Sequence, residues 1–97
     1  MNNGYTIQMH RRAEDALQSL SDRDRDRVYG TIGRLAAGDL ARLPRLRPLH
    51  GRPGLYELRV GREFRLLFQV DVASRTITLQ DIVNHEFVKH YLEGAGA

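Results

Sequence analysis

The sixteen residues from 55 to 70, LYELRVGREFRLLFQV, constrain the fold of this chain more than any other segment. On both sides of Gly61 and Arg62, apolar residues alternate with polar or charged ones, which is the two-residue period of a β-strand with one buried face. Gly61 and Arg62 are enough to join two antiparallel strands. The segment therefore predicts a β-hairpin.

The alternation gives the two faces of this hairpin different chemistry. We expect the core face to carry Tyr56, Leu58, Val60, Phe64, Leu66, Phe68 and Val70. The opposite face then carries Glu57, Arg59 and Arg65, and the two arginines repel each other unless a carboxylate or a bound anion neutralises them. Glu57 and Glu63 are the internal candidates for that role. Two interpretations stay open: a solvated Glu/Arg ladder on an exposed sheet face, or a surface that binds an anion.

The remaining elements are predicted from periodicity and from capping residues. Apolar alternation indicates a first strand over residues 4–10, and further strands are predicted over 55–60, 63–72 and 76–83. Two helices come between the first strand and the hairpin; Ser21 is expected to cap the second helix and Gly38 to end it. All three prolines lie in residues 39–54, which are expected to form a basic connecting loop. A short C-terminal helix is predicted over residues 86–92.

Two glycines fall inside the second predicted helix. Gly30 and Gly33 each cost about 1 kcal/mol relative to alanine in a helix interior. We expect close packing against a neighbouring backbone to explain them.

These elements predict an α+β fold in one domain spanning residues 1–97. Two N-terminal helices are expected to pack on a twisted, mainly antiparallel four-stranded sheet, in the order β-α-α-β-β-β-α. The chain has no cysteine and no zinc-binding spacing, so apolar packing must hold it together. The N-terminus does not resemble a signal peptide, and no apolar run has the length of a membrane helix, so a cytoplasmic location is expected.

Positive charge is concentrated in one part of the chain. Residues 42–65 contain seven arginines and two acidic residues, a local charge of +5 in a chain whose net charge is +3. Fourteen of the fifteen basic residues are arginine, whose planar fork suits bidentate contacts with phosphate, although biased genomic composition would also produce the excess. An anionic partner is one interpretation of this pattern.

Three residues near the C-terminus bring titratable and aromatic groups. His85 and His90 are candidate acid/base groups because imidazole titrates near neutral pH, but histidines are also common surface residues. They are five positions apart, about 140° around a helix, so they do not form the metal-binding pair found at a spacing of four. Tyr91 is either a stacking residue or part of the core. The sequence predicts no metal site, no cofactor and no Ser-His-Asp triad.

The loop LRPLHGRPG (residues 46–54), followed by LYELRV and then FRLLFQV, resembles the RelE/ParE superfamily of toxins from bacterial toxin-antitoxin pairs. The resemblance extends over nearly the whole chain. It implies a RelE-like fold, a cognate antitoxin as partner, and one of two activities. RelE-like members cut mRNA in the ribosomal A site, whereas ParE-like members poison DNA gyrase.

The resemblance also implies roles for individual residues. Arg65 falls on the hairpin arginine of the family, Arg59 on one of its strand lysines, and Tyr91 near its C-terminal stacking tyrosine. His85 falls close to a basic C-terminal position. The chain departs from the best-known ribonuclease members at Glu57 and Arg59, where those members have two lysines.

For a ribonuclease these positions imply a cleavage in which the ribose 2′-OH attacks the adjacent phosphate. Glu57 is then a candidate base or merely a partner of Arg65, and His85 or His90 is a candidate acid for the leaving oxygen. Arg59 and Arg65 would steady the phosphate charge.

The expected function is a ribosome-dependent mRNA endonuclease, with mRNA and ribosomal RNA as further partners. Four more arginines are expected to contact RNA or the ribosome: Arg45, Arg47, Arg52 and Arg62. The alternatives are a gyrase poison, a RelE-like protein with weakened activity, and a non-catalytic binding module.

Overall fold

The computed structural model describes residues 4–38, 40, 46–49 and 54–84 of the chain. Its elements are β1 (Thr6–Met9), α1 (Arg11–Gln18), α2 (Asp22–Ala36), β2 (Leu46–Pro48), β3 (Leu55–Val60), β4 (Phe64–Asp71) and β5 (Thr76–Asn84). The fold is α+β, with two helices against a mostly antiparallel sheet, which confirms the predicted fold class. The helix predicted over residues 86–92 lies outside the described residues.

The described strands form one sheet in the order β1-β5-β4-β3-β2. β1 runs parallel to β5, and the other three pairs are antiparallel. The prediction of four strands is wrong, because Leu46–Pro48 pairs with β3 inside the segment that was expected to be a loop. Pro48 is compatible with that position because an edge strand has one side on which a missing N–H donor costs no ladder hydrogen bond.

Capping side chains set the starts of both helices. His10 Nδ1 accepts a hydrogen bond from the backbone N–H of Arg12 at 3.1 Å at the start of α1. Ser21 Oγ accepts one from the backbone N–H of Asp24 at 3.2 Å, as predicted for the start of α2. Beyond the end of α2, Gly38 adopts a φ of +85°, the left-handed conformation typical of a residue that ends a helix.

Arg25 ties the two helices together. From α2 its guanidinium group donates hydrogen bonds to the carbonyl oxygens of Leu17, Gln18 and Leu20, at 3.2, 3.2 and 2.9 Å. These carbonyls lie at the end of α1 and just beyond it, where helix geometry leaves carbonyls without partners. The turn between the helices is therefore held by a side chain.

The main core lies between the helices and one face of the sheet. Its buried members are Ala13, Leu17, Val28, Ile32, Leu35, Leu58, Val60, Leu66, Phe68, Ile77, Leu79 and Ile82. Tyr56, Phe64 and Val70 pack against this cluster, so the face of the hairpin predicted to be apolar is the face that the helices cover.

A β-bulge in β5 keeps this face apolar. Leu67 pairs with Asp81 and Phe68 pairs with Leu79, so Gln80 is an extra residue opposite β4. Without it the two-residue period would turn Ile82 away from the core; with it both Leu79 and Ile82 are buried. The chain thus adds one residue to restore the register.

The explanation expected for the two glycines of α2 is wrong. A Cβ placed on Gly30 or on Gly33 meets no atom within 4 Å, and both positions are exposed. Close packing therefore does not account for them, and nothing in the described structure explains either residue.

None of the helices within the described residues is long and apolar enough to cross a membrane.

Candidate functional site

The candidate site lies on the face of the sheet opposite the helices, where β3 and β4 pair. Arg59 and Arg65 are direct partners in the antiparallel register, and therefore project from the same face. Arg59 is exposed, whereas Arg65 is only 7% exposed. The two guanidinium groups predicted to share a face therefore do so in different environments.

Glu57 lies on this face and is almost completely buried, with 1% of its surface exposed. Its Oε1 accepts a hydrogen bond from Arg47 Nε, and its Oε2 lies 3.8 Å from Arg65 Nε. β2 supplies Arg47 because Arg47 and Glu57 are register partners. One carboxylate is thus held between two arginines from neighbouring strands.

This arrangement follows from the energetics of buried charge. An isolated ion in a protein interior costs several kcal/mol, so a buried arginine needs a close counter-charge. Glu57 supplies it to Arg65, and it also offsets the repulsion between Arg65 and Arg59. The three arginines and Glu57 together carry a formal charge of +2, and the exposed Arg59 and Arg47 present that charge to solvent.

The same face has an apolar part as well. Leu49, Leu55 and Leu67 form a second buried cluster, against which Val83 packs. The interpretation as a solvated Glu/Arg ladder is therefore wrong for Glu57 and Arg65, which are buried beside this cluster. Exposed charge on this part of the sheet comes from Arg59 and Arg47.

A polar groove of about 460 Å³ lies near the other end of β4 and β5. Its walls include Gln8, Gln69, Thr76 and Thr78. Gln80 Nε2 donates a hydrogen bond to Gln69 Oε1 at 3.3 Å. The groove brings amide and hydroxyl groups together, but no charged side chain apart from Asp71 lines it within the described ranges.

Asp81 sits at the β-bulge, close to the start of α1. Burial raises the pKa of its carboxyl group, and this effect outweighs the hydrogen bond from the backbone N–H of Ile82 and the charges of Arg12 and His10. The carboxylate of Asp81 is thus partly desolvated. It belongs to β5 and is separate from the Glu57 cluster.

Other residues predicted for the site have separate positions. Arg62 is exposed in the turn between β3 and β4. Arg45, Arg52, His85, His90 and Tyr91 lie outside the described residues. Among the residues that the structure describes, no group of three acidic, histidine or cysteine side chains is placed to bind a metal ion.

Comparisons with known proteins agree with the predicted resemblance. The family model described as "Phage derived protein Gp49-like (DUF891)" matches residues 15–90. A search of curated proteins finds no match. Among solved structures, the chain is 27% identical to one in the RelBE2 toxin-antitoxin complex from Mycobacterium tuberculosis, with a TM-score of 0.59, covering 84% of this chain and 99% of that one.

Two structures of lower sequence identity also share the fold. The match to the RelE-RelB complex from Pyrococcus horikoshii has 22% identity and a TM-score of 0.70, and covers 87% of this chain and 96% of that chain. The match to the isolated Escherichia coli RelE toxin has 20% identity and a TM-score of 0.67, with 95% and 96% covered. These similarities confirm the resemblance inferred from the hairpin and its preceding loop.

Proposed function

The chain belongs to the Gp49-like family of phage-derived proteins and has a RelE-like fold, and on these grounds we propose that it is the toxin of a toxin-antitoxin pair that cleaves mRNA on the ribosome. The observation that carries the proposal is the charge arrangement of the sheet face. The exposed Arg59 pairs with the buried Arg65 in the sheet register, and the carboxylate of Glu57 lies 3.8 Å from Arg65 Nε. Such a surface is suited to a phosphate whose charge increases during reaction.

In the proposed reaction the ribose 2′-OH attacks the adjacent phosphate and the 5′-oxygen leaves. Arg59 contacts the phosphate directly, and Arg65 adds positive charge from within the sheet. Both groups act as cations because arginine stays protonated at any physiological pH. Their contribution is therefore electrostatic, and the proton transfers require other groups.

Glu57 is better suited to positioning than to proton transfer. A general base must come within hydrogen-bond distance of the proton that it removes. Glu57 is 1% exposed, and its oxygens face Arg47 and Arg65. We therefore assign Glu57 the role of counter-ion, and leave the proton transfers to His85 and His90, with Tyr91 as a stacking residue.

RNA binding outside the reacting phosphate is assigned to the arginines around the site. Arg47 remains 64% exposed while its Nε is bound to Glu57, so its other nitrogens are accessible to a phosphate. Arg62, in the turn after β3, extends the positive surface beyond Arg59. Arg45 and Arg52 complete the proposed set.

The proposed partner that restrains the toxin is an antitoxin, as in the Mycobacterium and Pyrococcus complexes. An apolar groove of about 260 Å³, lined by Leu40, Leu46, Tyr56, Phe68, Val70 and Val72, is the proposed contact. Val72 is 67% exposed, and an amphipathic segment of the antitoxin would cover it. Val72→Asp should abolish co-purification with the antitoxin, whereas Ala73→Asp, at the next exposed position, should not. Co-purification that survives Val72→Asp would exclude this groove.

One experiment tests the activity. The chain is induced in a bacterial host, transcripts are mapped by primer extension, and the purified protein is assayed against DNA gyrase supercoiling. We expect cuts within translated transcripts, their loss in Arg59→Ala, and retention in Arg11→Ala, which removes an exposed arginine from α1. Gyrase inhibition without transcript cleavage would replace the proposal with a ParE-like function.

A further inference from the structure

A hollow of about 640 Å³ separates the first half of α2 from the turn between β3 and β4. Three arginines line it: Arg23 and Arg27 from α2, and Arg62 from the turn. Arg23 and Arg27 are four positions apart, so they lie on the same side of the helix. Arginines from two distant parts of the sequence therefore meet at one surface.

Gly61 allows this meeting. A Cβ placed on Gly61 would lie 2.8 Å from Arg27 Nη1 and 3.5 Å from Arg27 Cδ, so the side chain of Arg27 lies across the backbone of the turn. The φ of Gly61 is +61°, which also favours glycine. The absence of a side chain on Gly61 thus leaves room for the guanidinium group of Arg27.

The positive charge of the hollow is not neutralised at close range. Asp24 and Glu63 also line it, which leaves a formal charge of +1. Among the described residues, none of the three arginines is within 4.0 Å of a carboxylate oxygen, in contrast to Arg25 and Arg47, which form ion pairs. Three exposed guanidinium groups in one concavity repel one another and favour an anion between them.

We propose that this hollow binds the phosphate backbone of RNA at a site distinct from the Glu57 cluster. Arginine presents a planar fork of donors that matches phosphate oxygens. Arg59 lies near the end of β3, Arg62 in the turn that follows, and Arg27 on α2 against that turn, so positive groups occur on both sides of the end of the hairpin. A polymer with regularly repeated negative charges matches such an arrangement better than one acidic side chain does.

The inference rests on the proposed function, which already assigns Arg62 to RNA, and deepens it with a second surface at which the bound RNA does not need to be cleaved. The site explains how a strand that passes over Arg59 continues onto the helical side of the molecule. It also adds Arg23 and Arg27 to the arginines expected to contact RNA.

Salt dependence of binding tests the site. The full-length chain is titrated into a fluorescein-labelled oligouridine of roughly a dozen nucleotides, long enough for a single-strand site. Anisotropy gives the binding constant at several salt concentrations. The slope of log K against log salt is negative, and each lost phosphate contact reduces its magnitude by about 0.7, so the combined Arg23→Ala, Arg27→Ala and Arg62→Ala variant should reduce the magnitude by about 2.

The control is Arg11→Ala, which removes one positive charge from the exposed surface of α1, as each single variant does from the hollow, and should leave the slope unchanged. Should the triple variant not fold, each single variant is expected to reduce the magnitude of the slope by about 0.7. Arg27→Lys keeps the charge and loses the fork, so it should retain the slope with weaker binding at every salt concentration.

An unchanged slope in the triple or single variants, or an equal decrease in Arg11→Ala, would overturn the inference. The same conclusion follows if the triple variant loses binding to polyglutamate but not to oligouridine, since the hollow would then take an acidic protein. The two proposals fail separately. Loss of transcript cleavage with the expected slopes affects the proposed function, whereas normal cleavage with unchanged slopes affects the hollow.

Discussion

Arg59 and Arg65 stand directly opposite each other on one face of the β3-β4 pair, although like charges at opposed positions destabilise a sheet. Their difference in burial resolves the conflict. Arg65 is buried against Glu57, and Arg59 reaches solvent, where water screens its charge. Among the described residues, Glu57 is the carboxylate that lies within 4.0 Å of the buried Arg65.

Replacing that carboxylate should be costly. Glu57→Gln keeps the size of the side chain but leaves the buried Arg65 without its counter-charge, and removal of one partner from a buried ion pair costs about 3 kcal/mol. For a chain of this length the midpoint of thermal unfolding should then fall by roughly 12–24 °C. Circular dichroism melting measures the effect.

The control is Glu63→Gln, which removes an exposed acid from the adjoining turn. It should change the free energy of unfolding by less than about 0.5 kcal/mol. A Glu57→Gln variant as stable as the parent would contradict the role assigned to this carboxylate.

Removal of the exposed arginine, Arg59, should raise the free energy of unfolding instead of lowering it. Arg59→Gln relieves the repulsion from Arg65, so the free energy of unfolding should rise by a few tenths of a kcal/mol, about 0.2–0.5, at low salt. The gain should shrink with added salt, because exposed charges are screened. Urea denaturation at two ionic strengths measures both values.

Arg65→Gln is the matched comparison, since it leaves Glu57 buried with Arg47 as its remaining arginine partner and should destabilise the protein. Equal effects of the two substitutions would mean that burial does not distinguish the arginines.

The two glycines of α2 offer a stabilising change. Gly30→Ala and Gly33→Ala introduce a methyl group that meets no atom within 4 Å, so each should raise the free energy of unfolding by about 1 kcal/mol through helix propensity. Thermal melting of the single and double variants measures it. Gly61→Ala is the contrasting case, because its Cβ would collide with Arg27 at a positive φ, and it should destabilise. Loss of stability on either α2 substitution would indicate a contact that these glycines preserve.

The partly desolvated carboxyl of Asp81 should make stability depend on pH. Because burial raises its pKa in the folded protein above the ordinary value of 3.8, the folded state binds the proton more tightly than the unfolded state. Stability from this group is greatest below pH 3.8 and declines as the pH rises through the raised pKa. Asp81→Asn should therefore match the parent at low pH and exceed it slightly at neutral pH, as measured by urea denaturation across this range.

Asp71→Asn should behave in the opposite way. Hydrogen bonds from the backbone N–H and hydroxyl of Ser74 lower the pKa of the exposed Asp71 carboxyl, so this group stabilises the folded state above pH 3.8. That contribution is lost as the pH falls through the lowered pKa. If both variants shifted stability in the same direction at neutral pH, the two environments would not differ as described.

The main features of the fold could be predicted from the sequence because the spacing of apolar residues and the capping residues depend only on neighbouring positions in the chain. Alternation in β3 and β4 identified the core face, and Ser21 identified the start of α2. The sequence did not predict β2, because Pro44 and Pro48 are typical of a loop and the three residues Leu46–Pro48 are too few to show a strand period.

The candidate site was also predicted only where local spacing determines it. Alternation correctly put Glu57, Arg59 and Arg65 on one face, but burial depends on what covers a face, and nothing local indicated that Glu57 is enclosed while Arg59 is not. Arg23 and Arg27 were missed as well. Their spacing of four was visible, but their approach to the turn depends on how α2 packs against the sheet.

The parallel pairing of β1 with β5 imposes an order on assembly. Thr6 pairs with Thr76, whereas the strands from β2 to β5 pair with near neighbours in sequence. Closing so long a loop has a large entropic cost, so we expect the hairpins to form early and β1 to dock last. During translation, β1 has no strand to join until β5 has left the ribosome. The charged face around Glu57 thus forms before the chain is closed at its opposite edge.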